Sequence, residues 1–277
     1  METQQKIQRL KAVIFDLDGT LYLGEQAISG AVETVKALRE RGMGVQFISN
    51  KPLEPGAAYA EKLSRLGIPA RAEEVLTSAA VLGAHLARKA PHLRLYVVGE
   101  QSLKEELRTW GLRVMPELEE QDPRGVIQPE GIDAVVVAFD RTLDYRKLNT
   151  AYQALNHGAV FFATNADRTC PLPSGAVPDA GATLAFLEHI TGRKPDLVAG
   201  KPSTLMLDAA ADRMCLEPSC CLVVGDRLET DILMGQEAGM RTALVLSGVT
   251  RRSDLTTSPV RPDLVLESVK DLPELLG

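Results

Sequence analysis

Ala12-Val-Ile-Phe-Asp-Leu-Asp-Gly-Thr20 is a hydrophobic strand that ends in two carboxylates, Asp16 and Asp18, one residue apart. Val13, Ile14 and Phe15 have the β-branched and aromatic character of a strand buried on both faces, as in a parallel sheet covered by helices. Ligands of such open sheets sit beyond the carboxyl ends of the strands, which is where these acids emerge. Gly19 allows a sharp turn after them, and the Thr20 hydroxyl can tie that turn. Two carboxylates held this close raise one another's pKa unless a cation lies between them. The segment therefore implies a divalent ion, whereas a surface Asp-x-Asp-Gly-Thr turn would bind nothing and would need no buried strand ahead of it.

Hydrophobic strands alternate with amphipathic stretches along the rest of the chain, the pattern of an α/β protein with a largely parallel sheet. Strands are expected over residues 12–15, 44–48, 93–98, 133–138, 159–163, 221–224, 242–246 and 264–266. Helices are expected over 31–41, 55–66, where Pro55 suits a first turn, and 203–213. Residues 93–115 and 132–163 each read as strand, helix, strand, so the middle of the chain can build a small sheet of its own. The intervening 116–129, rich in Pro, Glu and Gly, reads as a connection.

Three later segments repeat the form of the first, a hydrophobic strand running into a polar cluster. The second strand ends at Ser49-Asn50, a hydroxyl and an amide that can donate to phosphate oxygens or simply make a solvated turn. Leu197-Val-Ala-Gly-Lys-Pro-Ser sets Lys201 after Gly200 and before a proline, with Ser203 placed to cap a helix; a solvated surface lysine is the plain alternative. Leu222-Val-Val-Gly-Asp-Arg-Leu-Glu-Thr-Asp brings Gly225 and Asp226, then Asp231 within the next turn. Acids at a strand end suit Mg²⁺, which takes oxygen ligands, keeps several waters and needs only one or two carboxylates. Asp231 can also be a plain first-turn residue, favoured by the helix dipole.

Bulk properties narrow the function classes. The 277 residues suffice for one large core or two smaller ones. Aromatic residues at 4% are too few for base stacking, and a net charge of −6 disfavours a polyanion; no nucleic acid partner is expected. Cys170, Cys215, Cys220 and Cys221 form no Cys-x-x-Cys pair and no zinc spacing with the four histidines, which suits reduced structural thiols. The start, Met1-Glu-Thr-Gln-Gln-Lys-Ile-Gln-Arg-Leu10, lacks the apolar core of a signal peptide, and no later run is long enough to span a bilayer. A cytoplasmic protein without membrane contact is expected.

Taken in order, Asp16-Leu-Asp-Gly-Thr20, Ser49-Asn50, Lys201 and Gly225-Asp226 with Asp231 resemble the four loops of the haloacid dehalogenase superfamily of phosphohydrolases, over nearly the whole chain. The resemblance implies a Rossmann-like core, a doubly wound parallel sheet, with a smaller inserted α/β cap of the C2 type. It implies that Asp16 attacks phosphorus to give an aspartyl phosphate, which water then cleaves, and that Asp18 acts as acid and base. It further implies Mg²⁺ held by Asp16, the backbone carbonyl of Asp18, and Asp226, with Lys201 and Ser49 gripping the transferring group. Asp231 would order a metal-bound water or Lys201 from behind, with Thr20 and Gly225 as supporting positions. Because an alkoxide leaving group needs a proton and a halide does not, Asp18 favours phosphatase over dehalogenase.

The interval from Asp16 to Asn50 has room for only a helix and a strand, so the insertion falls between Asn50 and Lys201. A core of residues 1–80 with 190–277 and a cap of 81–189 are expected, the cap serving as a lid that sheds water and reads the leaving group. That placement, together with Ala163-Thr-Asn-Ala-Asp-Arg-Thr-Cys-Pro171, Gly181-Ala-Thr183, Thr191-Gly-Arg-Lys-Pro195 and Gly200-Lys-Pro-Ser203, is similar to the subgroup of NagD-type nucleotidases, para-nitrophenyl phosphatases, and phosphoglycolate and pyridoxal phosphate phosphatases. By that resemblance Asn165 and Asp167 are substrate-side or cap-closing residues; an Asx turn after a strand is the alternative. Two departures stand out: Lys51-Pro52 follows Asn50, and Asp179 stands where a glycine is common. Lys51 adds positive charge near a substrate or faces solvent. The expected ligand is a small phosphorylated metabolite, and self-association through the cap is compatible with the resemblance. Two other classes remain open, a phosphotransferase or mutase using the same phospho-aspartate, and a receiver-like phospho-acceptor.

Overall fold

A strand with no polar residue before its last position has to be covered on both faces, and β1 (Ala12–Asp16) is buried at every position. The structure, a computed structural model, describes residues 9–172 and 175–276; residues 1–8, on which the leader reading rests, lie outside the described residues. After β1 come a short hairpin of β2 (Tyr22–Leu23) and β3 (Gln26–Ala27), then α1 (Ala31–Glu40), β4 (Gly44–Ser49), α2 (Gly56–Arg65) and β5 (Val75–Thr77). The chain continues through α3 (Ser78–Lys89), β6 (Arg94–Val98), α4 (Gln101–Thr109), β7 (Arg113–Val114), β8 (Ala134–Val137), α5 (Tyr145–Asn156) and β9 (Val160–Ala163). A second hairpin, β10 (Thr169–Leu172) and β11 (Gly175–Pro178), leads to α6 (Ala180–Thr191) and β12 (Leu197–Val198). The remainder comprises α7 (Leu205–Met214), β13 (Cys221–Gly225), a π-helical turn at Leu228–Ile232 running into α8 (Leu233–Glu237), β14 (Arg241–Val245), α9 (Asp254–Thr257), β15 (Leu264–Leu266) and α10 (Leu272–Leu275).

These elements divide into two compact units. The first holds the chain up to Ser49, Gly56–Leu76 and Lys201 onward; the second holds Asn50–Pro55 and Thr77–Gly200. In the first, six strands lie in the order β15-β14-β13-β1-β4-β5, with β1 paired in parallel to β13 and β4. One face of this sheet presents Val13, Phe15, Phe47, Leu222 and Val224 to Val35 and Leu38 of α1 and Tyr59 and Leu63 of α2. The Phe15 and Phe47 rings stack with centroids 6.4 Å apart. This is the α/β, Rossmann-like arrangement expected from the alternation of strands and helices.

The second unit has its own parallel five-stranded sheet, β12-β9-β8-β6-β7. Tyr96, Val98, Val135, Val137 and Phe161 pack there against Ala151 and Leu155 of α5 and Leu184 and Leu187 of α6. Asp144 caps α5 by accepting from the Lys147 N–H, and Gly192, at φ 69°, ends α6 in the left-handed conformation glycine favours. Among the described residues no helix is long and apolar enough to cross a membrane.

All eight expected strands are present within a residue or two at each end. The strand that closes 93–115 and the one before Lys201 are present as β7 and β12, and the additional ones, β5 and the two hairpins, are two to four residues long, too short to show a period. α7 begins at Leu205 and its N-cap position, Thr204, makes no side-chain cap bond, but Ser203, one residue earlier, accepts from the Leu205 N–H through Oγ at 3.4 Å. The Lys201–Pro202 peptide is cis.

In the second unit Arg94 donates Nε and Nη2 to the Asp133 carboxylate, at 2.8 and 2.9 Å, and its own N–H at 2.8 Å. These bonds hold the Asp133 carboxyl down at about 2. A depressed folded-state pKa contributes stability that is present above the ordinary carboxylate value and lost as pH falls through the lower one. Denaturant midpoints of the unsubstituted protein should therefore fall between about pH 4 and pH 2 more steeply than those of Asp133→Asn. Equal slopes would show that this pair does not contribute.

Candidate active site

The two central strands deliver the acids. From β1 the chain first fills β4 and β5 on one side, then returns after the second unit to β13 on the other. The boundary between β1 and β13 is thus a topological switch point, with Asp16 at the end of one strand and Gly225-Asp226 at the end of the other. Backbone economy brings them close. Gly19 adopts φ +85°, its N–H donating to the Tyr22 carbonyl at 2.8 Å, and a Cβ there would lie 2.5 Å from Asp226 Oδ2. A Cβ on Gly225 would lie 2.3 Å from Asp231 Cβ. Only glycine leaves room for both carboxylates.

A single ammonium ties the acids together. Lys201 Nζ donates to Asp16 Oδ1 and lies 2.8 Å from Asp231 Oδ1. Thr20 Oγ1 donates to Asp16 Oδ2 at 3.2 Å, the Arg227 N–H to Asp231 Oδ2 at 3.1 Å, and the Val249 N–H to Asp226 Oδ2 at 2.6 Å. All of Asp16, Lys201, Asp226 and Asp231 are buried. Burial raises the Asp16 carboxyl against the pull of Lys201, and the neighbouring Asp231 and Asp226 push it the same way. Burial and Asp231 likewise raise Asp226, partly offset by the Val249 N–H. For Lys201 burial acts to lower the pKa, but Asp16 and Asp231 outweigh it and hold the amine protonated.

Asp16, Asp226 and Asp231 each offer a carboxylate oxygen, all within 4.8 Å of one another. Against three buried acids stands one lysine, so the pocket carries unbalanced negative charge, which is costly without a further cation. An all-oxygen donor set of this charge fits a hard divalent ion. Each of the three already has partners in the protein: Lys201 and Thr20 for Asp16, Lys201 and the Arg227 N–H for Asp231, and the Val249 N–H for Asp226.

Of the other expected residues, Asp18 is half-buried and forms a β-bridge with Tyr22 in the turn after β1. Ser49 is buried at the end of β4, the strand next to β1. Asn50, Asn165 and Asp167 come together elsewhere, inside the second unit. Asn50 Nδ2 donates to Asp167 Oδ2 at 2.9 Å, and Asn165 Nδ2 donates to Asp167 Oδ2 at 3.2 Å and to Asp179 Oδ1 at 3.1 Å. Asp179, which departs from the subgroup pattern, caps α6 by accepting from the Ala180 N–H. Burial raises its carboxyl, and Lys51 is among the groups that oppose the shift.

One contribution escaped the sequence reading. Besides the Val249 N–H, the segment after β14 supplies Ser247 Oγ, which donates to the Gly19 carbonyl at 2.8 Å, and Gly248, where a Cβ would collide with Asp226. The available signal was a fifth strand running into a glycine turn, Leu246-Ser-Gly-Val-Thr250.

Comparison with known proteins agrees with this geometry. A family model for haloacid dehalogenase-like hydrolases matches residues 13–113, and a second, HAD-hydrolase-like model matches residues 198–272. The sugar-phosphatase AraL of Bacillus subtilis is 36% identical over 263 residues, covering 95% of this chain and 92% of its own. A 4-nitrophenylphosphatase from Thermotoga maritima superposes with a TM-score of 0.89 at 32% identity, covering 98% of this chain and 99% of its own. A glycerol phosphate phosphatase from Mycobacterium tuberculosis, solved in complex with magnesium, superposes at 0.85 with 32% identity, covering 97% of this chain and 78% of its own.

Gly225→Ala should displace the Asp231 side chain and cost about 1–3 kcal/mol of stability, as overpacking does. Urea unfolding measures it, and an unchanged midpoint would show that the space assigned to Asp231 is not needed.

Proposed function

The chain belongs to the haloacid dehalogenase-like hydrolases, in the branch of NagD and the para-nitrophenyl phosphatases, and is a phosphomonoesterase; from that premise we propose that it hydrolyses a small phosphate ester through an aspartyl phosphate on Asp16, with Mg²⁺ as its metal. The observation that carries this reading is the buried Asp16 carboxylate bonded to Lys201 at the switch point of the sheet, beside Asp226.

In this reading the Asp16 oxygen attacks phosphorus while the P–O bond to the leaving group breaks. Asp18 gives its proton to the departing ester oxygen, and its carboxylate then takes a proton from the water that attacks the acyl phosphate, releasing phosphate and restoring both acids. Lys201 and Ser49 hold the transferring oxygens, and Asp231 keeps the ammonium in place and charged. A carboxylate approaches a phosphate dianion only where its oxygens are neutralised. Mg²⁺ held by Asp16, Asp226 and the Asp18 carbonyl would supply most of that neutralisation; the magnesium and calcium complexes of the mycobacterial relative support a hard divalent ion here.

The substrate class we assign is a small metabolite phosphomonoester, with para-nitrophenyl phosphate as an artificial one. Relatives named for sugar phosphate, glycerol phosphate and nitrophenyl phosphate support it. The second unit is the cap of this family, and we assign recognition of the leaving group to it.

Phosphate release from para-nitrophenyl phosphate should disappear in Asp16→Asn without loss of the fold, and should drop by about 10²–10⁴ in Asp18→Asn. Residual turnover in Asp16→Asn near that of the unsubstituted protein would exclude this nucleophile. Chelation of divalent ions should stop turnover and added Mg²⁺ restore it; full activity in chelator would remove the metal from the account.

A further inference from the structure

The proton donor assigned to Asp18 sits at the start of a weak piece of structure. Strands β2 and β3 contribute two residues each and form a two-stranded sheet of their own, pairing Tyr22 with Ala27 and Leu23 with Gln26. A hairpin of that size is not stable by itself. Its register nevertheless sets the Asp18 backbone, because the Gly19 N–H donates to the Tyr22 carbonyl, the Tyr22 N–H donates to the Leu17 carbonyl at 3.3 Å, and Asp18 bridges Tyr22. Something outside the hairpin has to hold it.

Helix α2 provides the hold. Lys62 carries its ammonium 4.2 Å from the centroid of the buried Tyr22 ring and 3.1 Å from Glu25 in the hairpin turn. On the same helix, Tyr59 and Leu63 share the apolar cluster that contains Tyr22. The Lys62 side chain is 20% exposed, whereas Glu25 is 77% exposed, so the ring contact is the better shielded half of the clamp and the ion pair the weaker. One cation thus grips both ends of the hairpin that begins at the acid.

We propose that Lys62 is a positioning residue for Asp18, fixing the β2–β3 hairpin so that the acid meets the departing ester oxygen. The proposal rests on the phosphatase mechanism above and adds a residue to it. Lys62 touches neither metal nor substrate in this account; it acts through Tyr22 and Glu25. Loss of the clamp loosens proton donation, and a displacement of about 1 Å at a reacting group can cost 10²-fold. The loss is selective, because nitrophenolate leaves with little help from an acid whereas phenolate needs more.

The test compares kcat/KM for para-nitrophenyl phosphate and phenyl phosphate, two esters of nearly the same shape, in saturating Mg²⁺. Lys62→Met should lower the phenyl ester about tenfold and the nitrophenyl ester less than about threefold, a fraction of what full loss of a general acid costs. Lys62→Arg, which retains a cation for the ring face and for Glu25, should restore the ratio, and Glu25→Gln should shift it slightly in the same direction as Lys62→Met. Thermal melts of these variants should overlay. Equal loss on both esters, or no loss on either, overturns the role of Lys62 while leaving the phosphatase reading intact. If Asp18→Asn fails to show the same selectivity in stronger form, the assignment of Asp18 falls and that of Lys62 with it.

Discussion

The structure depends on one charge balance, the Lys201 ammonium set against Asp16 and Asp231 in a pocket that also buries Asp226. Buried charges persist only when paired and hydrogen-bonded. Here the pairing is incomplete, three acids to one lysine, and in the proposed mechanism that shortfall is the property the chemistry uses. A pocket neutralised by its own side chains would have no use for a divalent ion and no carboxylate left to attack phosphorus. The backbone pays for this crowding with glycines: Gly19, Gly225 and Gly248 each stand where a Cβ would strike an acid.

Parallel strands make such a pocket constructible. Because β1 and β13 run side by side and end together, residues far apart in sequence reach one rim without a long loop. Their interiors are uniformly apolar, so Asp16 closes one buried strand and Asp226 directly follows another. Lys201 stands at the point where the chain re-enters the first unit. Lys201 and Ser49 each stand at a crossing between units, so the connections that make the second unit an insertion also carry the groups that hold phosphate in the proposed mechanism.

Much of this was legible in the residues themselves. Alternation of apolar runs and amphipathic stretches yields the sheet, because burial on both faces leaves a plain signature in Val13-Ile-Phe15 and Leu222-Val-Val224. The carboxylates were legible because each follows such a run. What escaped was of two kinds. Strands of two or three residues, such as β2, β3 and β5, carry no period and are defined by their neighbours' hydrogen bonds. Side-chain direction escaped as well: nothing in Ser49-Asn50 says that Asn50 turns to Asp167 of the second unit, or that Asp179 is a helix cap shared with Asn165. The Val249 N–H that fixes Asp226 is a backbone donor, available at any residue and so invisible in side-chain identity.

The most direct test of the central claim is acid quenching during turnover, followed by mass spectrometry of the peptide that contains Asp16. The account predicts a phosphoryl group on Asp16 itself, formed with substrate and lost on further incubation with water. Steady turnover with that peptide unmodified, or with the phosphoryl group on another side chain, would contradict it.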